Sequence, residues 1–72
     1  MTAHYIMVVD DEPDIRQLVA EILEDEGYRV VTADNAERAR ELHRSRKPDL
    51  ILLDIWMPGQ DGISLLKEWC EN

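Results

Sequence analysis

A single cysteine, Cys70, is present among 72 residues. That excludes an internal disulfide framework and a zinc site built on several cysteines, and it fits a reducing compartment. Basic residues are few: eight Lys and Arg stand against sixteen Asp and Glu, for a net charge of −8. Nucleic-acid phosphates need clustered Lys and Arg, so a general nucleic-acid binder is excluded, while metal cations and basic partner surfaces suit this balance. No apolar run approaches the roughly 18 residues of a membrane span. The start, Met1-Thr2-Ala3-His4-Tyr5, lacks the basic segment of a signal peptide. No repeat, low-complexity tract or linker divides the chain. One soluble, cytoplasmic domain over residues 1–72 is expected. A chain this short buries only about 60% of its unfolded surface, so its stability should be marginal.

What the chain does have is alternation of strand and helix signals. Tyr5–Val9 (YIMVV) is a continuous apolar run of strand length, suited to burial on both faces. It stops at Asp10-Asp11-Glu12-Pro13, where Pro13 suits a first helical turn and the acids suit that helix's positive end. Ile15, Leu18, Val19, Ile22 and Leu23 then form one apolar stripe at helical spacing, and Gly27 stands where a helix-ending glycine belongs. Residues 28–33 read as a second strand. Asp34 and Asn35 are both able helix caps, with Glu37 completing a capping box from Asp34. A second helix over residues 35–46 has only Ala36, Ala39 and Leu42 as its apolar face, and Pro48 breaks it. Leu50–Leu53 (LILL) is a third strand ending at Asp54. Asp61 can cap a third helix whose apolar positions are Ile63, Leu65, Leu66 and Trp69.

The pattern β-α-β-α-β-α implies an α/β fold with a parallel sheet and right-handed crossovers. If the first strand lies between the other two, order 2-1-3, a crevice opens at the carboxyl ends of the first and third strands. Those ends carry Asp10, Asp11 and Asp54. Carboxylates held close repel one another, which a shared proton or a cation relieves. Magnesium suits such a set, because it takes one or two carboxylates, waters and phosphoryl oxygens. Free backbone N–H groups at the start of the first helix should face the same point. The residues therefore point to a magnesium-assisted phosphoryl site.

Two stretches resemble a known family: MVVDDEPDIRQLV at residues 7–19 and PDLILLDIWMPGQDG at residues 48–62. They are similar to the N-terminal part of a response-regulator receiver domain of bacterial two-component signalling. Ile55-Trp56-Met57-Pro58, with LLKEW at residues 65–69, is similar to the nitrogen-regulation (NtrC/NtrX-like) branch, whose members carry an ATPase and a DNA-binding module further on. The resemblance implies a flavodoxin-like fold. It makes Asp54 the phosphoacceptor, charged from a phosphohistidine on a sensor histidine kinase. Asp11 would bind Mg²⁺ directly, Asp10 would help through water, and the Trp56 backbone carbonyl would be a further ligand. The domain would be a phosphorylated signalling element rather than an enzyme, binding neither nucleic acid nor membrane itself.

The resemblance also implies a complete domain of five strands and five helices, of which this chain carries three of each. It is therefore expected to be a truncated receiver, lacking the fourth strand with its Ser or Thr and the fifth with its Lys. Neither Lys47 nor Lys67 is placed to stand in, so phosphorylation should be impaired. The third strand becomes an exposed apolar edge, and self-association through it is expected. The alternative function is a non-catalytic interaction module whose phosphoswitch is inoperative.

Other residues read as structural. Arg38, Arg40, Arg44, Arg46 and Lys47 are broken up by Glu37 and Glu41, as on a solvated helix face. His4 and His43 lack ligand spacing. Trp69 packs, Trp56 can cover the site beside it, and Cys70 is a passive thiol. A haloacid-dehalogenase-type site needs an Asp at position 56, where this chain has Trp. No Gly-rich loop follows the first strand, and the spacing from Asp54 to Gly62 does not fit an EF-hand.

Overall fold

The computed structural model describes residues 4–54 and 62–70, in which strand and helix alternate three times. The elements are β1 (Tyr5–Val9), α1 (Pro13–Asp25), β2 (Arg29–Ala33), α2 (Ala36–Ser45), β3 (Leu50–Leu53) and α3 (Gly62–Cys70). The strands form one parallel sheet in the order β2-β1-β3. Met7 lies opposite Val31 on one side and Ile51 on the other. All five residues of β1 are buried, as a central strand covered on both faces requires. No helix among the described residues is long and apolar enough to cross a membrane.

The helix ends follow local chemistry. Pro13 is the first residue of α1, where its missing N–H costs nothing. At the other end Gly27 adopts φ 95°, its N–H bonds the Glu24 carbonyl at 3.0 Å, and the Tyr28 N–H bonds the Leu23 carbonyl at 3.1 Å. This pair of bonds is the Schellman closure. It draws Tyr28 into the helix end, so β2 begins one residue later than the expected strand over residues 28–33. At the start of α2, Asn35 is the cap: its side chain accepts the Arg38 N–H at 2.7 Å. The expected capping box from Asp34 to Glu37 does not form. Asp34 instead accepts from the Asn35 amide at 2.9 Å. Glu37 falls at the second helical position, where its charge still favours the helix's positive end.

The main core lies on the sheet face covered by α2 and α3. Met7, Val9, Ala33, Ala36, Ala39 and Leu65 are buried together there, with Leu42, Ile51, Leu53 and Trp69 packed around them. Small Ala36 and Ala39 let α2 approach the sheet closely, which explains how so weak an apolar face docks. Trp69 of α3 stacks on His43 of α2, with centroids 4.9 Å apart, and Arg40 holds Glu68 at 3.0 Å. The charged stretch on α2 is otherwise exposed, as expected, with Arg38 and Glu41 paired at 3.6 Å. Leu66 departs from expectation at 48% exposed, because α3 presents it away from the core. The cap at Asp61 and the side chain of Ile63 lie outside the described residues.

The opposite face departs further. Ile6 and Val8 alternate with Met7 and so point toward α1. The α1 stripe meets them only in part: Ile15, Leu18 and Ile22 remain 47%, 53% and 54% exposed. Leu50 and Leu52 of β3, beside Ile6 and Val8, are 52% and 39% exposed. The stripe is wider than the sheet area α1 covers, since α1 packs mainly over β1 and β2.

Candidate metal and phosphoacceptor site

Asp10 and Asp54 are the first residues beyond neighbouring strands. The Asp10 N–H donates to the Ala33 carbonyl at 3.1 Å, and the Asp54 N–H donates to the Val9 carbonyl at 2.9 Å. The sheet ladder thus runs out at the two acids, and the parallel register brings them side by side with Asp11. One carboxylate oxygen from each of Asp10, Asp11 and Asp54 lies within 4.8 Å of the others, and all three residues are half-buried. At that spacing each pair repels by about 1 to 3 kcal/mol, depending on how far water screens it. Three converging oxygens of this kind suit a hard divalent cation, which would remove the repulsion and use oxygen donors. The expected juxtaposition of residues 10, 11 and 54 is therefore present.

The loop between β1 and α1 has its own internal order. Asp10 Oδ1 accepts the Glu12 N–H at 2.9 Å, an Asx turn that leads into the helix. Of the N–H groups expected at the start of the helix, that of Glu12 is thus turned to a carboxylate of the site, and Pro13 has none to offer. The Trp56 carbonyl, expected as a further metal ligand, lies outside the described residues. Lys47 lines a separate hollow with His43 and Trp69.

Two residues at this sheet hold roles that the sequence alone does not assign. Arg16 donates from Nη1 to the Asp10 carbonyl at 2.8 Å. Asp49 sits at the far end of β3, where its N–H donates to the Tyr5 carbonyl at 2.8 Å and its Oδ2 accepts the Tyr5 N–H at 2.8 Å. A basic residue one turn into the helix after an acidic loop is a usable signal for the first. The position directly before an apolar strand is the signal for the second. Beside the carboxylates a hollow of about 460 Å³, floored by Val8, Val19 and Leu52, opens between α1 and β3 and ends at Asp10, Glu12 and Asp54.

Residues 6–72 match the response regulator receiver domain family. This chain belongs to that family. The receiver is 56% identical over 66 residues to the nitrogen assimilation regulatory protein NtrX of Azorhizobium caulinodans, covering 89% of this chain and 14% of that protein. It is 43% identical over 67 residues to the chemotaxis protein CheY of Bacillus subtilis, covering 92% of this chain and 56% of that one. Among solved structures, NtrX from Brucella abortus superposes with a TM-score of 0.89 at 50% identity, over 94% of this chain and 16% of that one. The response regulator TrrA from Thermotoga maritima, solved in complex with Mg(2+)-BeF, superposes with a TM-score of 0.84 at 48% identity, over 90% of this chain and 56% of that one. The receiver thus spans about half the length of CheY and TrrA, and about a seventh of NtrX. Fold and strand order are those of an N-terminal receiver portion, as the resemblance implied.

Proposed function

We propose that this receiver accepts a phosphoryl group on Asp54 from a phosphohistidine of a sensor histidine kinase, at a Mg²⁺ site formed by Asp10, Asp11 and Asp54. The observation that carries the reading is the convergence of three carboxylate oxygens within 4.8 Å at the ends of β1 and β3. The Mg(2+)-BeF complex of the TrrA relative supports it. Bound Mg²⁺ supplies charge compensation for phosphoryl oxygens. Asp54 supplies the nucleophilic oxygen. Its bond to phosphorus forms as the bond from phosphorus to the imidazole nitrogen breaks, and the electron pair returns to the imidazole. By the family resemblance, Asp11 would contact the ion directly and Asp10 through water, and the Trp56 backbone carbonyl would be a further ligand. The chain acts as a cytoplasmic signalling element, one domain over residues 1–72, that assists its own phosphorylation at most. We assign neither Lys47 nor Lys67 to the phosphoryl group.

Incubation with a small acyl-phosphate donor and Mg²⁺, followed by intact-mass measurement, tests this. A gain of one phosphoryl group is expected in the wild type and none in Asp54→Asn. A gain that persists in Asp54→Asn, or none in the wild type with Mg²⁺ present, overturns the assignment.

A second reading is favoured by the edge position of β3 among the described residues, together with exposed Leu50, Leu52, Leu18 and Ile22. It is a non-catalytic module that self-associates by pairing β3 edges, burying those side chains against a second copy. Light scattering across a dilution series is expected to show a dimer that dissociates on dilution. A folded monomer at micromolar concentration removes this reading.

A further inference from the structure

The β1 ladder on its β2 side ends one bond short. Asp10 directs its N–H and its carbonyl to the same side of the strand, and the N–H is taken by Ala33. In a continued parallel ladder the next donor to the Asp10 carbonyl would be the N–H of Asn35. The chain instead turns into α2 there, with Asn35 as its cap. Arg16 fills that place: its Nη1 reaches the Asp10 carbonyl at 2.8 Å. The Arg16 backbone N–H bonds the Glu12 carbonyl at 2.9 Å, so the residue grips both ends of the acidic loop. Arg16 is itself half-buried, in a hollow shared with Thr32 and Asp34 at the end of β2.

We infer that Arg16 is a positioning residue for the cation site: it holds the Asp10 backbone, and through it the Asp10 and Asp11 carboxylates, in the geometry that meets Asp54. The inference rests on the reading that these three carboxylates take a divalent cation. It makes a prediction opposite in sign to that of its charge. A guanidinium near three carboxylates disfavours a second cation, so loss of the charge alone tightens Mg²⁺ binding. Loss of the tether loosens it, because the carboxylates must then be ordered when the ion arrives.

Calorimetric titration of the 72-residue chain with MgCl₂ separates the two. Arg16→Met keeps the aliphatic stem and is expected to raise the Mg²⁺ dissociation constant about tenfold, the usual scale for a group that orients a ligand. Arg16→Lys supplies one donor, which is all the observed bond needs, and is expected to recover most of that loss. A dissociation constant in Arg16→Met equal to or below the wild type overturns the inference, as does a failure of Arg16→Lys to recover. A second measurement uses only the wild type and holds if Arg16→Met does not fold. In ¹⁵N spectra, Arg16 guanidinium N–H signals are expected to be protected from solvent exchange and to shift with Mg²⁺ at the same midpoint as the Asp10 and Asp11 amides. Unprotected or unresponsive signals overturn it. A wild type that binds no Mg²⁺ removes the cation reading and this inference together, whereas equal binding by wild type and Arg16→Met removes only the role of Arg16.

Discussion

The two faces of the sheet share one central strand and differ in almost everything else. On one, Met7 and Val9 meet α2 and α3, and the small residues Ala33, Ala36 and Ala39 let the layers close until Met7 and Leu65 are wholly buried. On the other, Ile6 and Val8 meet α1, whose larger side chains leave Ile15, Leu18 and Ile22 about half in water beside bare Leu50 and Leu52. Side-chain bulk therefore does not decide which face is the core; overlap does. α2 and α3 together close over Met7 and Val9 with Ile51 and Leu53 beside them, whereas α1 packs mainly on β1 and β2. The acidic site stands at the seam, with its three carboxylates at the ends of β1 and β3 and the Asp10 carbonyl held by Arg16 of α1.

Truncating the closed face should have the largest effect. Met7→Ala removes a fully buried side chain and is expected to cost about 2 to 5 kcal/mol, enough to unfold much of a chain this small, as urea denaturation would show. Next comes the seam. Mg²⁺ at ten times its dissociation constant is expected to raise unfolding stability by about 1.4 kcal/mol. Asp11→Asn should abolish that gain, while leaving metal-free stability unchanged or slightly higher because one repelling charge is gone. Asn35→Ala, which removes the cap that seats α2 on the closed face, should cost about 1 kcal/mol. The smallest effect belongs to the open face. Ile22→Ser, at a side chain 54% exposed, should change monomer stability by about 0.5 kcal/mol or less while weakening any dimer seen by sedimentation. A large loss of monomer stability in Ile22→Ser would show that the faces are more alike than their exposure suggests.

Much of this was legible in the chain itself. The apolar run at Tyr5–Val9, the Pro13 start, the Gly27 stop and the LILL strand each carry a local signal with one physical meaning, and their alternation implies a parallel sheet. The carboxylate cluster followed from two strand ends and an assumed strand order. What local patterning does not encode is area. The α1 stripe looked like a complete core-facing surface, because periodicity reports which side of a helix is apolar and not how much of it a neighbour covers. The choice of Asn35 over Asp34 as cap was likewise open, since both residues have the chemistry and the turn geometry after β2 decides. Arg16 escaped notice because its role is a bond to a backbone carbonyl, and the strand-end geometry that leaves that carbonyl without a ladder partner is not written in any one residue.

The reciprocal bonds between Asp49 and Tyr5 have a consequence at the opposite end of β3. They anchor the start of a four-residue strand whose finish is anchored by the Asp54 N–H on the Val9 carbonyl. The count of residues between those anchors therefore acts as a gauge. One residue more or fewer would turn Leu53 or Ile55 toward the metal position and swing the carboxylate to the other side of the sheet. Length between positions 49 and 54, more than the identity of the leucines between them, is what this segment must keep.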